Sequence, residues 1–158
     1  MADPAATFAQ AHQAAHNGDT PTAKRLLLDI LRTHPDHGET LNLLGQISLA
    51  HDDPKTALSC FNKLQELAPK DPWVLFDLGR AHELNTDLPA AATAYWAAAQ
   101  ADPNNARFSL YTGAALDALG HTQAALALWS LAADQDPMVR AAHQHPKADP
   151  HTKEKSLL

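Results

Sequence analysis

Cysteine is almost missing from this chain of 158 residues: Cys60 stands alone, which excludes an internal disulfide and fits a reducing compartment. Long apolar runs are missing too. No stretch reaches the roughly 20 residues that a membrane helix needs, and the start Met1-Ala2-Asp3-Pro4 has neither the basic nor the apolar region of a signal peptide. A cytoplasmic protein with no membrane partner is therefore expected. Positive charge is scarce, with 12 Lys and Arg against 18 Asp and Glu and a net charge of -6, and no basic run interrupts the acidity. Nucleic-acid binding draws most of its affinity from Lys and Arg on phosphates, so that class is excluded. Runs of β-branched residues are few while alanine is abundant, which favours helix and leaves no candidate strand. There is no glycine loop for phosphate, no serine elbow and no base beside Cys60, so neither a catalytic residue nor a cofactor is expected.

What the chain does contain is a repeat. The pattern Leu75-x-x-Leu78-Gly79-x-x-His82, Ala91-x-x-x-Tyr95-x-x-Ala98, Pro103 returns every 34 residues, with prolines at Pro35, Pro69, Pro103 and Pro137 and no insertion between them. Asp or Asn followed by Pro marks several helix starts, because the acid accepts from free first-turn amides and proline at the first position loses no bond. The predicted helices run from Pro4 to about His16, Pro21 to Thr33, Gly38 to Ala50, Pro54 to Leu67, Pro72 to the Asn85-Thr86-Asp87 turn, Leu88 to Ala101, Ala106 to Ala118 and Thr122 to Asp134. Gly18 and Gly120 fall at equivalent places in two of the turns. The units are thus 4–37, 38–71, 72–105 and 106–137. Beyond Pro137 the frame fails, because Pro146 and Pro150 would fall inside a helix. We expect a short capping helix over 138–145 and a polar tail over 146–158. The apolar ending Leu157-Leu158 reads either as a frayed terminus or as a cut in a longer chain.

Aligned by the prolines, the eighth place holds Ala11, Gly45, Gly79 and Gly113, and the twentieth holds Ala23, Ala57, Ala91 and Ala125. Small residues at both places let the two helices of a hairpin cross closely. Four places later stand Leu27, Phe61, Tyr95 and Trp129, all large and expected to wedge between helices. In order, these places resemble the tetratricopeptide repeat over residues 4 to 137. The resemblance implies an all-α fold, a right-handed superhelical stack of antiparallel helix hairpins, with four repeats. Thr7 and Gln10 in the first unit, and Ser109 and Thr112 in the fourth, replace the usual large apolar residues. They are read as edge effects of units with one side in solvent.

In such arrays the second, fifth, ninth and twelfth places of each first helix line a concave groove where peptides dock. Here that groove would hold Phe8 and His12, then Asn42 and Gln46, then Trp73, Phe76 and Arg80, then Arg107 and Leu110. Phe8, Trp73 and Phe76 are the expected apolar anchors, since aromatic residues anchor interfaces. Asn42 and Gln46 are suited to a peptide backbone, and Arg80 and Arg107 to a carboxylate. The alternative for Trp73 and Phe76 is packing between neighbouring repeats. The Lys, Asn and Arg clamp that holds chaperone C-terminal tails in some members is missing, so that partner is not expected. His12 and His16 are one turn apart, and His143, His145 and His151 cluster in the tail, but nothing completes a ligand set, so no metal site is predicted.

The leading expectation is a non-catalytic module that binds a peptide or protein segment in this groove. A rival is an accessory domain at the front of a larger enzyme, as arrays of this kind precede the catalytic part of aspartyl/asparaginyl hydroxylases and some sulfotransferases. A third reading is self-association through the last repeat, around Trp129, Leu131 and Met138.

Overall fold

The computed structural model describes residues 3–137. Among them are eight helices and no strand: α1 (Pro4–His16), α2 (Thr20–Thr33), α3 (Gly38–Ala50), α4 (Pro54–Leu67), α5 (Pro72–Leu84), α6 (Leu88–Ala101), α7 (Ala106–Ala118) and α8 (Thr122–Gln135). The capping helix expected over 138–145, the tail with its three histidines, and Met138 lie outside the described residues.

Seven of the eight helix starts have a local chemical cause, the exception being α8, where His121 makes no side-chain capping bond. Asp3, Asp19, Asp53, Asp71, Asp87 and Asn105 accept hydrogen bonds from first-turn amides of the helices that follow them. His37 does the same for α3 through Nδ1, which accepts from the Thr40 amide at 3.3 Å. The side chains of Thr22 and Thr56, with a smaller contribution from their amides, hold the Asp19 and Asp53 carboxyls below the usual Asp range. Asp53 also pairs with Lys24 of α2 at 3.2 Å, tying the first hairpin to the second.

The hairpin turns repeat one geometry. Gly18 (φ 79°), Asp52 (φ 53°), Thr86 (φ 60°) and Gly120 (φ 84°), spaced by 34 residues, all occupy the left-handed region. Glycine takes that conformation freely, whereas a β-branched threonine is strained in it.

Successive helices pack in antiparallel pairs, α1 on α2 through α7 on α8, and each pair packs on the next. The glycines at the eighth place explain how the pairs close. A Cβ at Gly45 would lie 2.6 Å from Cζ of Phe61, one at Gly79 would lie 2.5 Å from Cδ1 of Tyr95, and one at Gly113 would lie 2.5 Å from Nε1 of Trp129. The neighbour nearest each of these glycines is therefore the large ring of its own hairpin, where the sequence pattern had suggested a small residue against a small residue. The first hairpin has Ala11 with Leu27, both fully buried, in place of glycine and ring.

The core falls into two clusters. One gathers Leu27, Leu44, Phe61 and Leu64 with Leu78 and Ala81 of α5; the other gathers Tyr95, Ala98 and Phe108 with Leu75 and Phe76 of the same helix. Helix α5 thus serves both. In the fourth hairpin Ser109 and Thr112 are buried, at 2% and 1% exposure, with the Thr112 hydroxyl donating to the Phe108 carbonyl at 2.8 Å. That corrects the edge-effect reading for this unit, since neither side chain faces solvent. Gln10 of the first unit is exposed and Thr7 half-buried, and both line a cleft of about 620 Å³ on the outer side of the first hairpin.

Candidate functional site

Because every hairpin is antiparallel, the first helices α1, α3, α5 and α7 run the same way and form a row. Side chains bridge each step of it. Phe8 of α1 lies 5.9 Å from the His37 ring at the head of α3. Gln46 of α3 donates to Asp77 of α5. Trp73 and Phe76 of α5 meet Phe108 and Tyr111 of α7, at 5.1 and 4.9 Å between ring centres.

The row carries two distinct surfaces. The first, between α3 and α5, is a polar seam. Asp77 is buried, accepts from Gln46 Nε2, and pairs with Arg80 Nη1 at 3.2 Å. Burial raises the Asp77 carboxyl above the usual Asp range, against the opposing pull of Arg80 and Gln46. Gln46 and Arg80 were expected to face a partner. Here the amide donor of Gln46 and the guanidinium of Arg80 already satisfy a buried carboxylate, so neither is unengaged.

The second surface, between α5 and α7, is aromatic. Trp73 stands edge-on to Phe76 with 6.0 Å between ring centres, and Tyr111 stands edge-on to Phe76 from another side. Phe76 is only 4% exposed, whereas Trp73 and Tyr111 are 48% and 39% exposed. The expectation of Phe76 as a groove anchor is thereby corrected: Phe108 and Tyr111, at places that the repeat frame did not count, close over it and make it the floor. Trp73 remains open, with the Arg107 guanidinium 5.7 Å from its ring centre. A cleft of about 430 Å³ opens beside it, bordered by Asn104, Asn105, Arg107 and Gln135. Tyr95, under Tyr111 at 5.4 Å, donates its hydroxyl to Glu83 at 2.6 Å, and burial with this bond pushes the phenol far above its ordinary range.

The remaining expected residues divide. His12 and Asn42 are exposed, and Leu110 is half-buried with its carbonyl accepting from Trp129 Nε1 at 3.3 Å. Phe8 is half-buried and packs on the first core cluster, so it covers core as much as it faces solvent. Tyr111 is the residue that sequence reasoning missed. Its signal was there, an aromatic one residue before Thr112, but it falls outside both the buried and the groove places of the frame. Among the described residues no three His, Cys, Asp or Glu side chains gather as metal ligands, and no helix is long and apolar enough to cross a membrane.

The tetratricopeptide repeat family model matches residues 8–72 and 76–138. Solved structures of MamA are similar in fold. A crystal structure of MamA protein superposes with a TM-score of 0.83 at 21% identity, covering 89% of this chain and 77% of that one. MamA 41-end from Desulfovibrio magneticus RS-1 gives 0.81 at 20% identity, covering 86% and 77%. A double mutant of MamA from RS-1 gives 0.80 at 19% identity, covering 93% and 79%. No curated protein matches the sequence.

Proposed function

The chain belongs to the tetratricopeptide repeat family, and from that premise we propose that it is a non-catalytic scaffold that seats a protein segment on the row formed by α1, α3, α5 and α7. The observation that carries this reading is the exposure of Trp73 and Tyr111 on a buried floor of Phe76 and Phe108. Half-exposed aromatic rings held rigid by a packed layer beneath lose little entropy on binding, and such rings dominate interface energetics. Asn42 adds a free amide along the same row. The buried Cys60 thiol, pushed up to about 11 by burial, fits an inert structural role.

The test is site-specific capture. A photoreactive phenylalanine in place of Tyr111 should cross-link a partner in cells, whereas the same group in place of Trp96, exposed on α6, should not. The pair Trp73→Ala and Tyr111→Ala should abolish capture by a probe at position 42 while leaving the helical circular dichroism unchanged. Equal capture from positions 111 and 96 would overturn the groove reading.

A further inference from the structure

The groove reading leaves the chemistry of the bound segment open, and the inference here rests on it. Two independent features of the α5–α7 surface bear on that chemistry. The first is the exposed Tyr111 ring, which lies beside Tyr95 and, through the Tyr95 hydroxyl, next to the Glu83 carboxylate. A ring face carries a negative quadrupole and attracts cations. The second is the placement of charge along the parallel helices. Glu83 and Asp117 are the second-last residues of α5 and α7, at the negative ends of both helix dipoles. Carboxylates there cost helix stability instead of adding to it. Neither makes an ion pair among the described residues.

The cations on this surface do not offset them. Arg80 is taken by Asp77, and Arg107 sits at the opposite, N-terminal edge over Trp73. What a docking segment meets at Tyr111 is therefore an aromatic face with the Glu83 carboxylate beyond Tyr95, and toward the C-terminal ends of α5 and α7 it meets Glu83 and Asp117 at equivalent places of successive repeats, on a chain of net charge -6. An acidic segment would be repelled there, and a basic one steered in.

We propose that the segment seated on this groove is cationic, with Lys or Arg side chains that lie against the Tyr111 ring and reach the Glu83 and Asp117 carboxylates. Arg107 then acts against binding, since it repels the segment and occupies the Trp73 face that a second cation would use.

The experiment is fluorescence anisotropy on the full chain with two labelled peptides of equal length, one alternating Leu and Lys and one alternating Leu and Glu. The Leu–Lys probe should bind, the double change Glu83→Gln with Asp117→Asn should weaken it by about three- to tenfold, and Tyr111→Ala should weaken it as well. Arg107→Ala should tighten it. Control changes Asp29→Asn on α2 and Glu66→Gln on α4 should leave it unmoved. If the controls weaken it as much as the groove changes do, the attraction is that of any acidic protein and the inference fails. If the Leu–Glu probe binds instead and Arg107→Ala weakens it, the cationic inference is overturned while the groove reading stands. If neither probe responds to Tyr111→Ala, both fall.

Discussion

Replacing Gly45 with alanine adds one methyl group where the structure has no room for it. The new Cβ would sit 2.6 Å from Cζ, 2.9 Å from Cε1 and 3.0 Å from Cε2 of Phe61, against an ordinary carbon contact of about 3.5 to 4.0 Å. The ring has to retreat by about 1 Å, but it is fully buried, and its neighbours in the close-packed core must follow. Overpacking of this kind costs about 1–3 kcal/mol, while alanine returns about 0.8–1 kcal/mol of helix propensity. The single change is thus only moderately destabilising and would not by itself identify the cause. The double-mutant cycle does. Phe61→Leu alone leaves a gap, but combined with Gly45→Ala it recreates the Ala11 and Leu27 pair that the first hairpin already uses. The two changes should therefore couple favourably, by about 1 kcal/mol or more within the range known for touching residues. Urea unfolding of the four proteins followed by circular dichroism gives the coupling directly. If the costs of the two single changes simply add, the ring is not what the glycine makes room for, and the account of how the hairpins close is wrong.

Other outcomes follow from individual sites. Thr86→Gly should stabilise the protein by about 0.5–1 kcal/mol, because relief of left-handed strain exceeds the added freedom of glycine in the unfolded chain; a rise of melting temperature on the order of 2–4 °C per kcal/mol checks it, and a fall would refute the strain. Asp77 titrates above its unfolded range when folded, so its contribution to stability is fully present below the unfolded value of 3.8 and is lost as pH rises through the folded one. Asp77→Asn removes that loss. The stability of the variant relative to the parent should accordingly improve between about pH 3 and pH 7, and a difference that stays flat across that interval would remove the buried-carboxylate account. The cross-linking and anisotropy experiments above test the groove and its charge.

Most of the architecture was legible because its causes are local. Caps and helix-starting prolines placed the helix ends to within a residue, with Thr20 and Gln135 the differences at the ends of α2 and α8. Two starts differ in kind: His37 caps α3 through its imidazole, a role that residue type alone does not announce, and α8 starts after His121 with no side-chain cap, placed by the repeat frame alone. The groove was less legible, because its properties depend on what the next repeat supplies. Phe76 holds a groove place, yet Phe108 and Tyr111 of α7 bury it. Arg80 and Gln46 read as free donors until Asp77 comes between them. Ser109 and Thr112 looked like concessions to solvent, whereas Phe108 takes over the apolar packing one residue earlier and lets the polar pair be buried. For Phe76 and Gln46 the deciding contact crosses from one helix to another, and no spacing within a single helix could reveal it, whereas Asp77 and Arg80 pair within α5 at an i,i+3 spacing that the sequence did display.

The double allegiance of α5 bears on how the array comes apart. Fraying can start at either end and peel off a hairpin, but neither cluster can dissolve without stripping one flank of α5, and α5 is released only when both have gone. Local openings therefore stop at this helix from both directions, and its amides should exchange last. The helix that carries Trp73 at its head and Glu83 at its tail is in consequence the one that stays put while the ends of the stack breathe.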